Sequence, residues 1–161
     1  MTEATRNRVY LAIIAALLVV IAALAWKFIV AGSTVKADDG RTAVVLAPGE
    51  RALLLREMRE FVASLQKLSD ALARDDMKAV AAASRAIGTA KAHDVPLAML
   101  AKLPLEFKQL AFGVHNGFDA IARDADAAGT PRHALGQLAT VLQQCVACHD
   151  RYQLSGGAPT R

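Results

Sequence analysis

Apolar positions fall into two regimes along the chain. Val9 to Trp26 are 18 consecutive positions without a charge; Lys27 interrupts, and Phe28-Ile29-Val30 follow. This run is apolar on every side and long enough to span a bilayer. A cleaved signal peptide competes, with Ala23-Leu24-Ala25 as its cleavage site, but such an apolar core normally covers about 7–15 residues. Length therefore favours an uncleaved anchor within residues 1–30.

From Gly49 onward, apolar residues recur at steps of three and four, the period of helices with one buried face. A first helix over 49–73 carries the stripe Leu54, Met58, Phe61, Leu65, Leu68 and Leu72. A second, over 76–92, turns Val80, Ala83, Ile87 and Ala90 inward, with an aspartate as its cap. A connection through His93, Asp94 and Pro96 holds a short helix at 97–101. A third helix runs from Pro104 to about Ala127, with Phe107, Leu110, Val114, Phe118 and Ile121 inward. Thr130 caps a fourth, over 131–154, whose stripe is Leu135, Leu138, Leu142, Cys145, His149 and Tyr152. The joints after the first and third helices are short, which favours antiparallel neighbours. The pattern predicts an all-α fold: an antiparallel four-helix bundle over 49–154 behind one N-terminal transmembrane helix. Residues 31–48 read as a linker whose apolar Ala43-Val44-Val45-Leu46 patch packs against the domain, since a lone strand there would have no partner, and 155–161 as a flexible tail.

Charge sets the orientation. Arg6 and Arg8 precede the apolar run, so the short N-terminal tail stays cytoplasmic and the bulk of the chain lies across the membrane. In a bacterium this is a single-pass inner-membrane protein with its domain in the periplasm. The net charge of +4 is spread without a basic block, which gives nucleic-acid binding no support.

The chemistry concentrates in Cys145-Val146-Ala147-Cys148-His149, which holds the only two cysteines. Cys-x-x-Cys-His is the attachment signature of one covalent haem c: two thioethers to the porphyrin, and the adjacent histidine as proximal iron ligand. A zinc site would need a further ligand pair, and His93, His115 and His133 lack close ligand spacing. A redox dithiol normally opens a helix beside a βαβ unit, and none is present. A disulfide between i and i+3 of one helix has poor geometry.

The side of the haem opposite His149 divides two functions. A methionine ligand gives a six-coordinate iron suited to electron transfer; an apolar residue leaves a site open to NO or CO. Met58 is the candidate distal ligand, although Leu54 and Leu55 match the height of His149 better. His115 is a weaker alternative. Arg51 is a candidate partner for the haem propionates, and Phe61 and Tyr152 are candidate pocket residues. No catalytic constellation appears, so the chain reads as a carrier rather than an enzyme.

These residues resemble the cytochrome c-prime family and its low-spin cytochrome c-556 relatives. The resemblance covers roughly 49–154: four helical segments, the haem motif late in the last one, Tyr152 three residues after His149, and Arg51, Leu55 and Met58 in the first helix. The chain departs from the family in Gln153, where a basic residue commonly follows the aromatic, and in its anchor. The resemblance implies a monohaem bundle, redox partner proteins at the inner membrane, Arg51 near the propionates, and a homodimer formed through the first two helices.

Overall fold

A computed structural model describes residues 2–92 and 95–156. The protein is mostly helical, with one helix long and apolar enough to cross a membrane. That helix, α1 (Glu3–Ala25), starts at the Thr2 hydroxyl, which accepts from Thr5 N, and continues as a π-helical turn over Trp26–Ala31. None of its side chains is buried, and its most apolar 18-residue window has a mean hydropathy of 2.8. Such a surface is stable only against lipid or another apolar partner.

The segment read as a linker is built into the domain. β1 (Thr34–Lys36) and β2 (Thr42–Val45) form an antiparallel hairpin, and β2 pairs in parallel with β3 (Tyr152–Ser155), in register Thr42↔Tyr152 and Val44↔Leu154. The strand at 43–46 is therefore not alone. Its partner is a segment expected to end the last helix and begin a tail. The helix stops at Arg151 because Tyr152 turns extended and buries its ring edge-on to Phe107, 5.3 Å between centroids. Pairing with β2 then satisfies backbone groups that the helix end would leave open. Residues 157–161 of the expected tail lie outside the described residues, as do His93 and Asp94.

The remaining helices are α2 (Pro48–Ala73), α3 (Met77–Arg85), α4 (Thr89–Ala92), α5 (Leu97–Leu100), α6 (Leu105–Asp126) and α7 (Pro131–Arg151). Asp76 and Thr130 cap α3 and α7 as their sequence positions suggest. The single helix expected over 76–92 is broken between α3 and α4. There the Asp119 carboxylate accepts from Thr89 N at 3.0 Å and Thr89 Oγ1 at 2.6 Å, starting a new turn. Ala90, expected inward, is exposed.

Two apolar clusters form the core. One gathers Leu68, Val80, Ile87, Val114, Phe118, Ile121, Leu138 and Val141, with Phe61 and Cys145 packed against it. The other gathers Val44, Leu46, Leu54, Met99, Leu103, Phe107 and Tyr152, with Met58 and Cys148 at its margin. α2 and α6 run from the second cluster to the first, and α7 runs back. α6 packs along α3 and α7, and α2 along α3, whereas α2 and α7 meet only sparsely.

α7 is rotated from its expected phase. Ala134, Leu138 and Val141 are buried, while Leu135 and Leu142, expected inward, are 57% and 38% exposed. Val141 seats against Gly117, where any Cβ on α6 would collide with it. The close approach of α6 selects a small residue on one helix and a compact one on the other.

Candidate haem site

Cys145, Cys148 and His149 occupy the last two turns of α7. The i, i+3 spacing puts both thiols on one side of the helix, half-buried and free, the first at the margin of one core cluster and the second at the margin of the other. The motif thus straddles the boundary between the clusters. Met58 and Phe61, also i and i+3, divide the same way on α2, Met58 with the cluster of Cys148 and Phe61 with that of Cys145. Tyr152 is buried in the Met58–Cys148 cluster, its hydroxyl donating to Glu106 Oε2 at 3.2 Å, and Arg151 pairs with the same carboxylate. Arg51, in the first turns of α2, lies beside the end of β3, where its Cδ would sit 3.3 Å from a Cβ on Gly156. Arg51, Met58, Cys148 and Tyr152 therefore lie toward one end of the domain, and Phe61 and Cys145 border the neighbouring cluster, Phe61 one turn above Met58.

Helical geometry gives the flank of each axial candidate. On α7, Val141 and Gln144 turn toward Gly117 and Gly113 of α6. At about 100° per residue, Leu142, Val146 and His149 lie on the flank away from α6, and all three are exposed. On α2, Glu57 and Glu60 turn toward His115 and Lys91, so Leu55, Met58 and Val62 lie on the opposite flank. Each flank thus exposes an apolar residue, Val146 at 59% and Val62 at 67%, and α2 and α7 meet only sparsely.

The surroundings of the thiols do not favour the thiolate. Burial pushes the pKa of Cys145 up, and burial with the neighbouring Cys145 does the same to Cys148. The C-terminal end of a helix adds negative potential, the reverse of what lowers a reactive thiol. Among the described residues no three His, Cys, Asp or Glu side chains are arranged to hold a metal ion, so a zinc reading lacks its ligand set. A haem needs less from the chain: two thiols, one imidazole and an apolar wall, and those are what this end of α7 presents. No family model matches the chain, and no curated protein or solved structure matches it.

His115 has a different task from the one considered for it. It is 5% exposed, with Nδ1 2.8 Å from the Ile87 carbonyl, Nε2 3.5 Å from Glu57 Oε1, and its ring 5.2 Å from that of Phe61. Both nitrogens are engaged, so it joins α2, α3 and α6 rather than offering a lone pair to iron. Burial alone would push its pKa down; the Glu57 carboxylate and the Ile87 and Gly88 backbone outweigh this and hold it above its ordinary value.

Sequence reasoning missed the clamp on the end of α7. Arg41 Nη1 donates to the carbonyls of His149 and Tyr152 at 3.3 and 3.5 Å, and Nη2 to Gln153 Oε1 at 3.0 Å. Asp39 orients the guanidinium, accepting from Arg41 Nε at 2.8 Å and from its backbone N at 3.1 Å. The guanidinium thereby satisfies terminal carbonyls of the helix that carries His149. No local signal marks this contact, because Arg41 and His149 are 108 residues apart.

Proposed function

We propose that the chain is a membrane-anchored monohaem c-type cytochrome that transfers single electrons at the periplasmic face of a bacterial inner membrane. The observation that carries this reading is the Cys145-x-x-Cys148-His149 motif in the last two turns of α7, its half-buried thiols at the margins of the two core clusters, the second of which also holds Met58 at its margin. In this reading α2, the α3–α4 segment, α6 and α7 are the four members of an antiparallel bundle of the cytochrome c-prime and c-556 type.

Cys145 and Cys148 would hold the porphyrin edge as thioethers, each thiol adding across a vinyl group. His149 would ligate the iron from α7, and Met58 from α2. The bound haem supplies one-electron iron chemistry. The chain's own residues supply the rest. Leu142, Val146 and Val62 would offer the group apolar surface, and Arg41 and Asp39 hold the backbone of His149. Arg51 would be available to a propionate. The donor and acceptor would be redox proteins in or at the same membrane, and with Met58 as a ligand the group would serve electron transfer rather than bind NO or CO.

A haem stain on a denaturing gel tests the reading. Haem should travel with the chain, and a Cys145→Ala, Cys148→Ala variant should lose the stain at unchanged expression. A wild-type chain that never stains in a host maturing other c-type cytochromes overturns the proposal.

A further inference from the structure

The anchor does not reach the domain through a free tether. The carbonyls of Phe28 and Ile29, in its last turns, accept from Lys108 Nζ of α6 at 3.4 and 2.8 Å. Gly32 then takes φ +65° against the α5–α6 corner, where a Cβ would lie 2.5 Å from the Lys102 carbonyl oxygen and 2.7 Å from Pro104 N. Only glycine fits that approach in that conformation. Ser33 N donates to the Lys102 carbonyl at 2.7 Å, and Lys27 Nζ folds back onto the Gly32 carbonyl at 2.7 Å. The end of the anchor and the α5–α6 corner form one unit.

Length places that unit at the membrane surface. From Val9, a hydrocarbon core of about 30 Å is spanned in roughly twenty residues at about 1.5 Å each. The apolar boundary therefore falls near Phe28 and Ile29, whose side chains are exposed and whose carbonyls Lys108 meets. An ammonium on an apolar stem is suited to that boundary. Around the same corner the domain exposes Leu97 at 81% and Phe112 at 41%; the latter lies one turn beyond Lys108 on the same face of α6. Beside them opens an apolar groove lined by Met99, Leu100, Leu103 and Phe107.

We propose that the α5–α6 face, through Leu97, Phe112 and Lys108, rests in the headgroup–acyl boundary of the phospholipid leaflet that the anchor leaves. The occupant is the leaflet because the face continues directly from the end of the anchor. The domain then stands in one fixed orientation, with the end that carries Arg51, Met58, Cys148 and His149 nearest the bilayer. Glu106 links that end to the first turn of α6 through Tyr152 and Arg151. The proposal rests on α1 spanning the membrane but not on haem.

The test uses the full chain in phosphatidylcholine–phosphatidylglycerol vesicles containing a phosphatidylcholine with a diazirine near the glycerol end of its acyl chain. After photolysis and trypsin, label should appear in the anchor and in peptides 92–102 and 109–123, but not in peptide 124–132 at the far end of the domain. In a Leu97→Asp, Phe112→Asp variant, label in 92–102 and 109–123 should fall to the level of 124–132 while the anchor stays labelled. Label confined to the anchor in the wild-type chain overturns the docking and leaves the span standing. An unlabelled anchor overturns the span and the docking with it.

Discussion

Replacing His115 by leucine tests the load on the buried joint between the core clusters. The imidazole bridges the Ile87 carbonyl, at 2.8 Å, and Glu57, at 3.5 Å, while stacking on Phe61. A His115→Leu variant keeps apolar volume but leaves a buried carbonyl unpaired, a cost of about 1–3 kcal/mol. It also strands the Glu57 carboxylate, whose side chain is only 13% exposed. Breaking a buried pair from one side costs about 3–5 kcal/mol; because Glu57 borders a groove shared with Arg56 and Lys91, the lower end applies, about 3 kcal/mol in total. Glu57→Gln preserves an acceptor and should cost about 1 kcal/mol. The double variant His115→Leu, Glu57→Leu should recover much of the single-variant loss.

The same pair gives a pH dependence of determined sign. The folded pKa of His115 lies above its ordinary value of 6.5, so the folded state binds the proton more tightly than the unfolded one. The resulting stability is fully present below about 6.5 and is lost as pH rises through the higher folded pKa. Denaturant unfolding of the full chain in detergent, followed by far-UV circular dichroism across that window, measures both effects. A His115→Leu variant within about 0.5 kcal/mol of wild type, the range of ordinary surface changes, would refute the reasoning. So would a pH slope in this window that survives the substitution.

Three further outcomes are expected. Met58→Ala should convert the haem-loaded chain from a low-spin spectrum to a high-spin one that binds CO when reduced; wild type already high-spin and CO-binding excludes Met58 as ligand. Arg41→Ala should destabilise the end of α7 by about 1–2 kcal/mol, since its charged hydrogen bonds are long and partly exposed. Hydrogen exchange should rise at the end of α7 and in β3, with partial rescue by Arg41→Lys; unchanged protection there refutes the clamp. Gly32→Ala should cost at least about 1–3 kcal/mol, because the alanine would be strained at φ +65° and its Cβ would collide with the 102–104 backbone. An unshifted thermal midpoint would show that the anchor is not docked on that corner.

How much was legible in the sequence depends on how local the determining contacts are. The stripe of α2 is legible in part: Leu54 and Leu68 are buried and Met58, Phe61, Leu65 and Leu72 half-buried on one helical face, while the buried Ser64 and Ala71 are too small to stand out in a hydrophobic pattern. The break after α3 depends on Asp119, thirty residues away, accepting from Thr89. The Gly88-Thr89 pair, a glycine followed by a capping residue, was the available sign. β3 carries no sign at all: Tyr152-Gln153-Leu154 fits either a helix end or a strand. Its partner is the 42–44 segment, brought beside it only by the folded domain. The Cys145-x-x-Cys148-His149 motif can be picked out for the opposite reason. Its five residues are contiguous, and their chemistry does not depend on where the rest of the chain lies.

The misreading of α7 bears on the function. Helical spacing of the large apolar residues assigned Leu135 and Leu142 to the core, and they are exposed; Ala134 and Val141 are buried instead, Val141 where α6 approaches closely at Gly117. A helix of a soluble domain usually exposes polar residues on the flank that its neighbours do not cover. α7 instead exposes Leu142 and Val146 on the flank of His149, and α2 exposes Val62 on the flank of Met58. Exposed apolar groups of this kind call for an apolar partner. On the proposed function that partner would be the porphyrin held through Cys145 and Cys148.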